Sequence, residues 1–129
     1  MIINVIGFDK NRRSEFAQSL SKEINGIYLN IDSIFSEEDL STKYFLAGKL
    51  AQSANEIGKH VVVDAYSGSK DLRLALGKVD RVIMIGNQLE EMSEDFDMPS
   101  ILDLVYNKND NFTLCAALAA KYLKLKNGK

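Results

Sequence analysis

Five short apolar runs, spaced so that helical patterns fit between them, constrain this chain more than any other feature. Four are rich in Ile, Val, Leu and Tyr: Ile2–Ile6, Ile27–Ile31, Val61–Val63 and Val82–Ile85. A weaker fifth spans Leu102–Tyr106. Runs without polar alternation fit strands covered on both faces, as in parallel sheets. Between them apolar residues recur at helix spacing. Phe16, Ala17, Leu20 and Ile24 form one stripe, with Ser14 as its cap. Leu40, Tyr44, Ala47, Leu50, Ala51, Ala54 and Ile57 form a second, with Gly58 as a stop, and Phe112–Leu125 forms a last helix started by Asp110 or Asn111. This alternation predicts an α/β domain of three layers, a parallel sheet of about five strands with helices on both sides. No linker or repeat divides the chain, so residues 1–129 are expected to form a single domain around one core.

In open parallel sheets, ligands bind beyond the carboxyl ends of the strands. Four polar clusters fall there: Asp9–Ser14, Asp32–Ser33, Asp64–Arg73 and Asn87–Asp97. The first sits in "GFDKNRRSEF", where a strand breaks at Gly7 and a helix follows. A phosphate-binding loop of the form G-x-x-x-x-G-K-[ST] works through inward backbone N–H groups, a lysine for the terminal phosphates and a hydroxyl for magnesium. Here Gly7 and Ser14 stand in register, but Arg12 takes the second glycine position and Arg13 the lysine position. Two readings are open. Gly7, Lys10, Arg12, Arg13 and Ser14 bind a phosphate or sulfate, or they form a solvated basic turn. Asp64, ending an apolar run, is either a magnesium contact shared with Ser14 or an acid paired with Lys70 or Arg13. The stretch "NQLEEMSEDFD" reads as a solvated acidic loop.

Composition narrows the function classes. With 26% charged residues and a net charge of −2, no basic field points to nucleic acid or an anionic membrane. No run approaches the length of a membrane span, no signal peptide is visible, and the single Cys115 in an Ala/Leu-rich stretch fits a reducing cytosol. One histidine, His60, is too few for a zinc site or a Ser-His-Asp arrangement. The small residues of Cys115–Ala120 permit close packing of helix on sheet, with a dimer seam as the alternative.

Taken in order, the loop at Gly7–Ser14, "IYLNIDSIF", "GKHVVVDAYSGSKDLR" and "DMPSILDLVYNKND" resemble the adenylylsulfate kinase (APS kinase) family of P-loop small-molecule kinases. The resemblance implies a kinase fold and assigns roles position by position. Gly7, Arg13 and Ser14 fall on the loop's first glycine, lysine and serine. Asp32 falls on the second acid of Asp-Gly-Asp, near the accepting hydroxyl, and would be the catalytic group; Asn30 replaces the first acid. Ser67, Lys70 and Arg73 fall on the Ser and two Arg of a substrate-side segment. Phe35 replaces a substrate-contacting arginine, and the acidic Asn87–Asp97 stands where the family carries a long basic lid. These departures lead to the expectation of a kinase-like domain without catalysis that binds a small anion (phosphate, sulfate or nucleotide) or a protein partner. The alternative is an active ATP-dependent kinase with Mg²⁺ held by Ser14 and Asp64.

Overall fold

A computed structural model describes residues 1–34, 36–86, 97–107 and 109–123. Phe35 and all of the acidic stretch except Asp97 lie outside the described residues. Five strands, β1 (Ile2–Ile6), β2 (Ile27–Asn30), β3 (Val61–Asp64), β4 (Arg81–Ile85) and β5 (Leu104–Tyr106), form one sheet in the order β2-β3-β1-β4-β5. Every pairing is parallel. Among the described residues four helices flank it: α1 (Lys10–Glu23), α2 (Leu40–Glu56), α3 (Lys70–Leu76) and α4 (Phe112–Tyr122). The expected three-layer α/β domain is therefore the observed one.

The central strand β1 shows how the layers divide. All five of its residues are buried, because both of its faces are covered. Ile3 and Val5 point to the layer of α1 and α4, where they meet Phe16, Leu20, Phe112 and Ala116. Ile2 points to the layer of α2 and α3, against Tyr44, Ala47, Leu72 and Leu76. Asn4 also lies buried in β1, and its side-chain amide donates to the Val63 carbonyl at 3.0 Å. The small residues of the last helix, Ala116, Ala119 and Ala120, pack into the core, leaving Leu114, Leu118 and Tyr122 outward.

The helices differ from the sequence reading at the start of α1 and in the presence of α3. Helix α1 begins at Lys10, so only Gly7–Asp9 connect it to β1, and its cap is Asp9 rather than Ser14. The Asp9 carboxylate accepts from the Arg12 N–H at 3.1 Å, which settles one of the orphan donors at a helix start. The seven-residue α3, capped by Ser69, has only Leu72 and Leu76 as buried anchors, too few for a visible stripe. Among the described residues no helix is long and apolar enough to cross a membrane.

Candidate functional site

The carboxyl ends of β1, β2 and β3 meet around a single side chain. Arg13, one helical turn into α1, is 2% exposed and lies on the same helix face as Phe16, Ala17 and Leu20. Its Nε donates to Asp64 Oδ1 at 2.5 Å. One terminal nitrogen donates to the Gly7 carbonyl at 2.6 Å and the other to Asp32 Oδ2 at 3.1 Å. Asp64 is fully buried, and its second oxygen accepts from the Ser14 hydroxyl at 2.6 Å and from the Tyr28 hydroxyl. Asn30 closes the cluster by donating to the Tyr28 oxygen at 3.2 Å and accepting from the Asp32 N–H at 2.9 Å. Burial, and then the hydrogen bond to the Asp64 carboxylate, push the Tyr28 phenol above its ordinary value.

A buried charge persists only when it is paired and hydrogen-bonded. Each charge here meets that condition through the other. Arg13 offers a planar fork of donors that a lysine lacks, which suits two carboxylates and a carbonyl at once. Of the two readings of Asp64, the geometry is the pair with Arg13.

The start of α1 is likewise occupied from within. The Asp9 carboxylate sits at the positive end of the helix, and the Asp9 carbonyl accepts from the Arg13 N–H at 2.8 Å. Two backbone donors that a phosphate cradle would turn on an anion, the N–H groups of Arg12 and Arg13, are thus used by the cap and the helix. Gly7 has φ +143°, and a Cβ there would stand 2.3 Å from the Ile85 carbonyl oxygen, so the close approach of β4 already demands glycine. Lys10 is exposed. Arg12 pairs with Glu15, donates to the Asp110 carbonyl at 3.1 Å and lies 4.2 Å from the Phe112 ring centre.

The residues assigned to the substrate side divide between interior and surface. Ser67 is fully buried with φ +51°. Its N–H donates to the Tyr44 hydroxyl at 2.7 Å, its own hydroxyl to Asn4 Oδ1 at 2.8 Å, and its carbonyl accepts from Arg73 at 2.9 Å. Arg73 also donates to the Asp97 carbonyl at 2.6 Å and pairs with the Asp97 carboxylate at 3.6 Å. Lys70 is exposed at the start of α3. No site role was assigned to Asp9, Tyr28, Asn4 or Tyr44 from the sequence. The one available signal was Asp9, an acceptor side chain directly before the helix.

The fit to Mg²⁺ with a nucleotide can be judged from the donor set. Magnesium takes oxygen ligands in near-octahedral geometry and keeps several waters. Asp64 has no exposed surface, and both of its oxygens already accept protein hydrogen bonds. Ser14 spends its proton on the same carboxylate. As arranged, this pair does not fit a magnesium ion, and among the described residues no group of three or more His, Cys, Asp or Glu is placed to hold a metal.

No protein-family model matches the sequence, and no curated protein sequence is significantly similar to it. Solved structures do match. The fold is similar to an unliganded sugar kinase from Janibacter sp. (TM-score 0.73, 10% identity, 98% of this chain and 96% of that one). It is similar to the Mycobacterium tuberculosis APS kinase in complex with AMPPNP and APS (TM-score 0.73, 12% identity, 95% and 96%). A shikimate kinase from Aquifex aeolicus follows at TM-score 0.58, 14% identity and 96% of both chains. At these identities the likeness is one of fold. The chain has the fold of the P-loop small-molecule kinases.

Proposed function

We propose that this kinase-fold domain transfers no phosphoryl group and acts by binding a protein partner. The observation that carries the reading is Arg13. Phosphoryl transfer is almost entirely positioning and electrostatic stabilisation, so it needs cations free to meet the phosphates. The cation at the lysine position is buried and spends its fork on Asp64, Asp32 and the Gly7 carbonyl. Arg12 is tied to Glu15 and the Asp110 carbonyl, which leaves Lys10 alone to receive a phosphate or sulfate. A small anion is therefore the weaker occupant. Asp32, the group assigned to the accepting hydroxyl, serves in this reading as a counter-ion of Arg13.

The alternative of an ATP-dependent kinase of the APS kinase type has one observation in its favour. Ser14 and Asp64, the residues that would share a magnesium ion, are in contact at 2.6 Å. It requires Arg13 to leave Asp64. The test is ADP production by purified protein from ATP and Mg²⁺, with APS as acceptor, beside thermal shift with ATP, ADP, phosphate and sulfate. The expected result is no ADP above background and no ligand-induced stabilisation. Turnover at ~1 s⁻¹, the low end for ordinary enzymes, would overturn the proposal in favour of the kinase.

A further inference from the structure

The surface between α2, α3 and the segment at 97–101 holds two concavities that share Leu74. One, of about 430 Å³, lies between Lys70, Leu74, Pro99 and Ile101. The other, of about 210 Å³, lies between Phe45, Lys49 and Leu74. Three large apolar side chains stand open along this line: Phe45 at 51%, Leu74 at 68% and Ile101 at 69% exposure. An apolar row of this kind is costly to leave in water and marks interaction surfaces when it is contiguous and rimmed by polar groups. The rim is basic. Lys49 lies 5.3 Å from the Phe45 ring centre, and among the described residues neither Lys49 nor Lys70 is in an ion pair. The third cation, Arg73, is neutralised by Asp97, while Asp71 beside Lys70 does not line either concavity.

We propose that this groove docks an acidic peptide segment of another protein, one that carries aliphatic or aromatic side chains at regular spacing. The apolar centre selects the anchors and Lys49 and Lys70, in no ion pair among the described residues, select the charge, so the two features together specify the partner's chemistry. Gly48 lines the second concavity. A Cβ there would stand 2.0 Å from the Leu76 carbonyl oxygen, so glycine lets α2 and α3 approach closely. The proposal rests on the protein-partner reading above, but it uses none of the residues around Arg13. Failure of peptide capture would leave the ADP assay unaffected, and a positive ADP assay would leave the groove to be judged on its own.

The experiment is selection of a displayed library of short random peptides on the intact protein, followed by fluorescence anisotropy with the best binder. Peptides rich in Asp and Glu with interspersed Leu, Ile or Phe are expected. Affinity should fall roughly tenfold or more with Leu74→Glu and with the Lys49→Glu/Lys70→Glu pair, and should weaken as salt is raised. These residues are exposed, so unchanged melting temperatures will verify that the variants fold. No enrichment, enrichment of basic or uncharged peptides, or binding indifferent to Leu74→Glu would overturn the proposal. So would a dimer in light scattering that Leu74→Glu dissociates, since the groove would then belong to a second copy.

Discussion

Replacing Arg13 by methionine removes the charge while keeping much of the buried stem, and its cost can be worked out from the cluster. Asp64 is fully buried and would lose the one cation paired with it among the described residues, where its remaining side-chain donors are the neutral Ser14 and Tyr28 hydroxyls. Breaking a buried ion pair from one side costs about 3–5 kcal/mol, because the other charge is left uncompensated. Asp32 adds little, since its side chain is 33% exposed and water can take over. For a chain of this size each kcal/mol moves the melting temperature by about 3–5 °C, so Arg13→Met should melt on the order of 10–20 °C lower. If it proves too unstable to purify, Arg13→Lys, which keeps the charge but not the fork, gives a milder measurement of the same site. The decisive assay is a double-mutant cycle by urea unfolding with Asp64→Asn. With both charges gone, the double variant should recover about 1–3 kcal/mol relative to the sum of the singles. Refutation would be a loss below about 1 kcal/mol for Arg13→Met, or singles that add within about 0.5 kcal/mol. Arg13 would then be a surface cation free to meet a ligand.

Two further outcomes follow from single residues. His60 is buried, its Nε2 finds no partner among the described residues, and desolvation followed by the nearby Met1 amino group lowers its pKa from the ordinary 6.5. A lowered folded-state value means that the unfolded chain takes up the proton first. Stability should therefore be full above pH 6.5 and decline as pH falls from there through the folded-state value; urea unfolding between pH 8 and 5 should show this slope in the wild type and lose it in His60→Gln. Gly7→Ala should cost about 3 kcal/mol or more in the same assay without any ligand, because its Cβ would meet the Ile85 carbonyl oxygen at 2.3 Å in a backbone region that favours glycine.

The sheet was legible because its inner strands β1 and β3 are covered on both faces, so their apolar runs are unbroken in the sequence. Val61–Val63 reads as a buried strand for the same reason that Val61, Val62 and Val63 are all fully buried. The order of elements then follows from their spacing. The start of α1 was not legible in the same way. Matching Gly7–Ser14 to a phosphate loop reserves those residues for loop structure, whereas Asp9 caps a helix that begins at once. The cap wins because an acceptor one residue before the first turn satisfies the Arg12 N–H locally, with no ligand needed. Helix α3 was missed because two anchors and seven residues carry too little periodicity.

Of the residues named from the sequence for a site, Arg13, Asp32 and Asp64 turn toward one another. Four polar clusters were expected at one edge of the sheet, and Arg13, Asp32 and Asp64, from three of them, converge there. The sequence reading left Asp64 open between a magnesium contact and an acid paired with Lys70 or Arg13, and a signal in the spacing favours the pair with Arg13. Arg13 precedes Phe16 and Ala17 by three and four residues and Leu20 by seven, so it continues the stripe that α1 buries. Asp64 likewise ends a strand whose every residue is buried. Opposite charges on two buried faces of adjoining elements have one inexpensive arrangement, which is to meet each other. The same argument explains why arginine rather than lysine stands at position 13. A lysine offers one compact ammonium, which could reach one carboxylate, while the guanidinium spans Asp64, Asp32 and the Gly7 carbonyl and thereby ties β1, β2 and β3 together at their carboxyl ends. In this fold, that edge is held by the protein's own side chains.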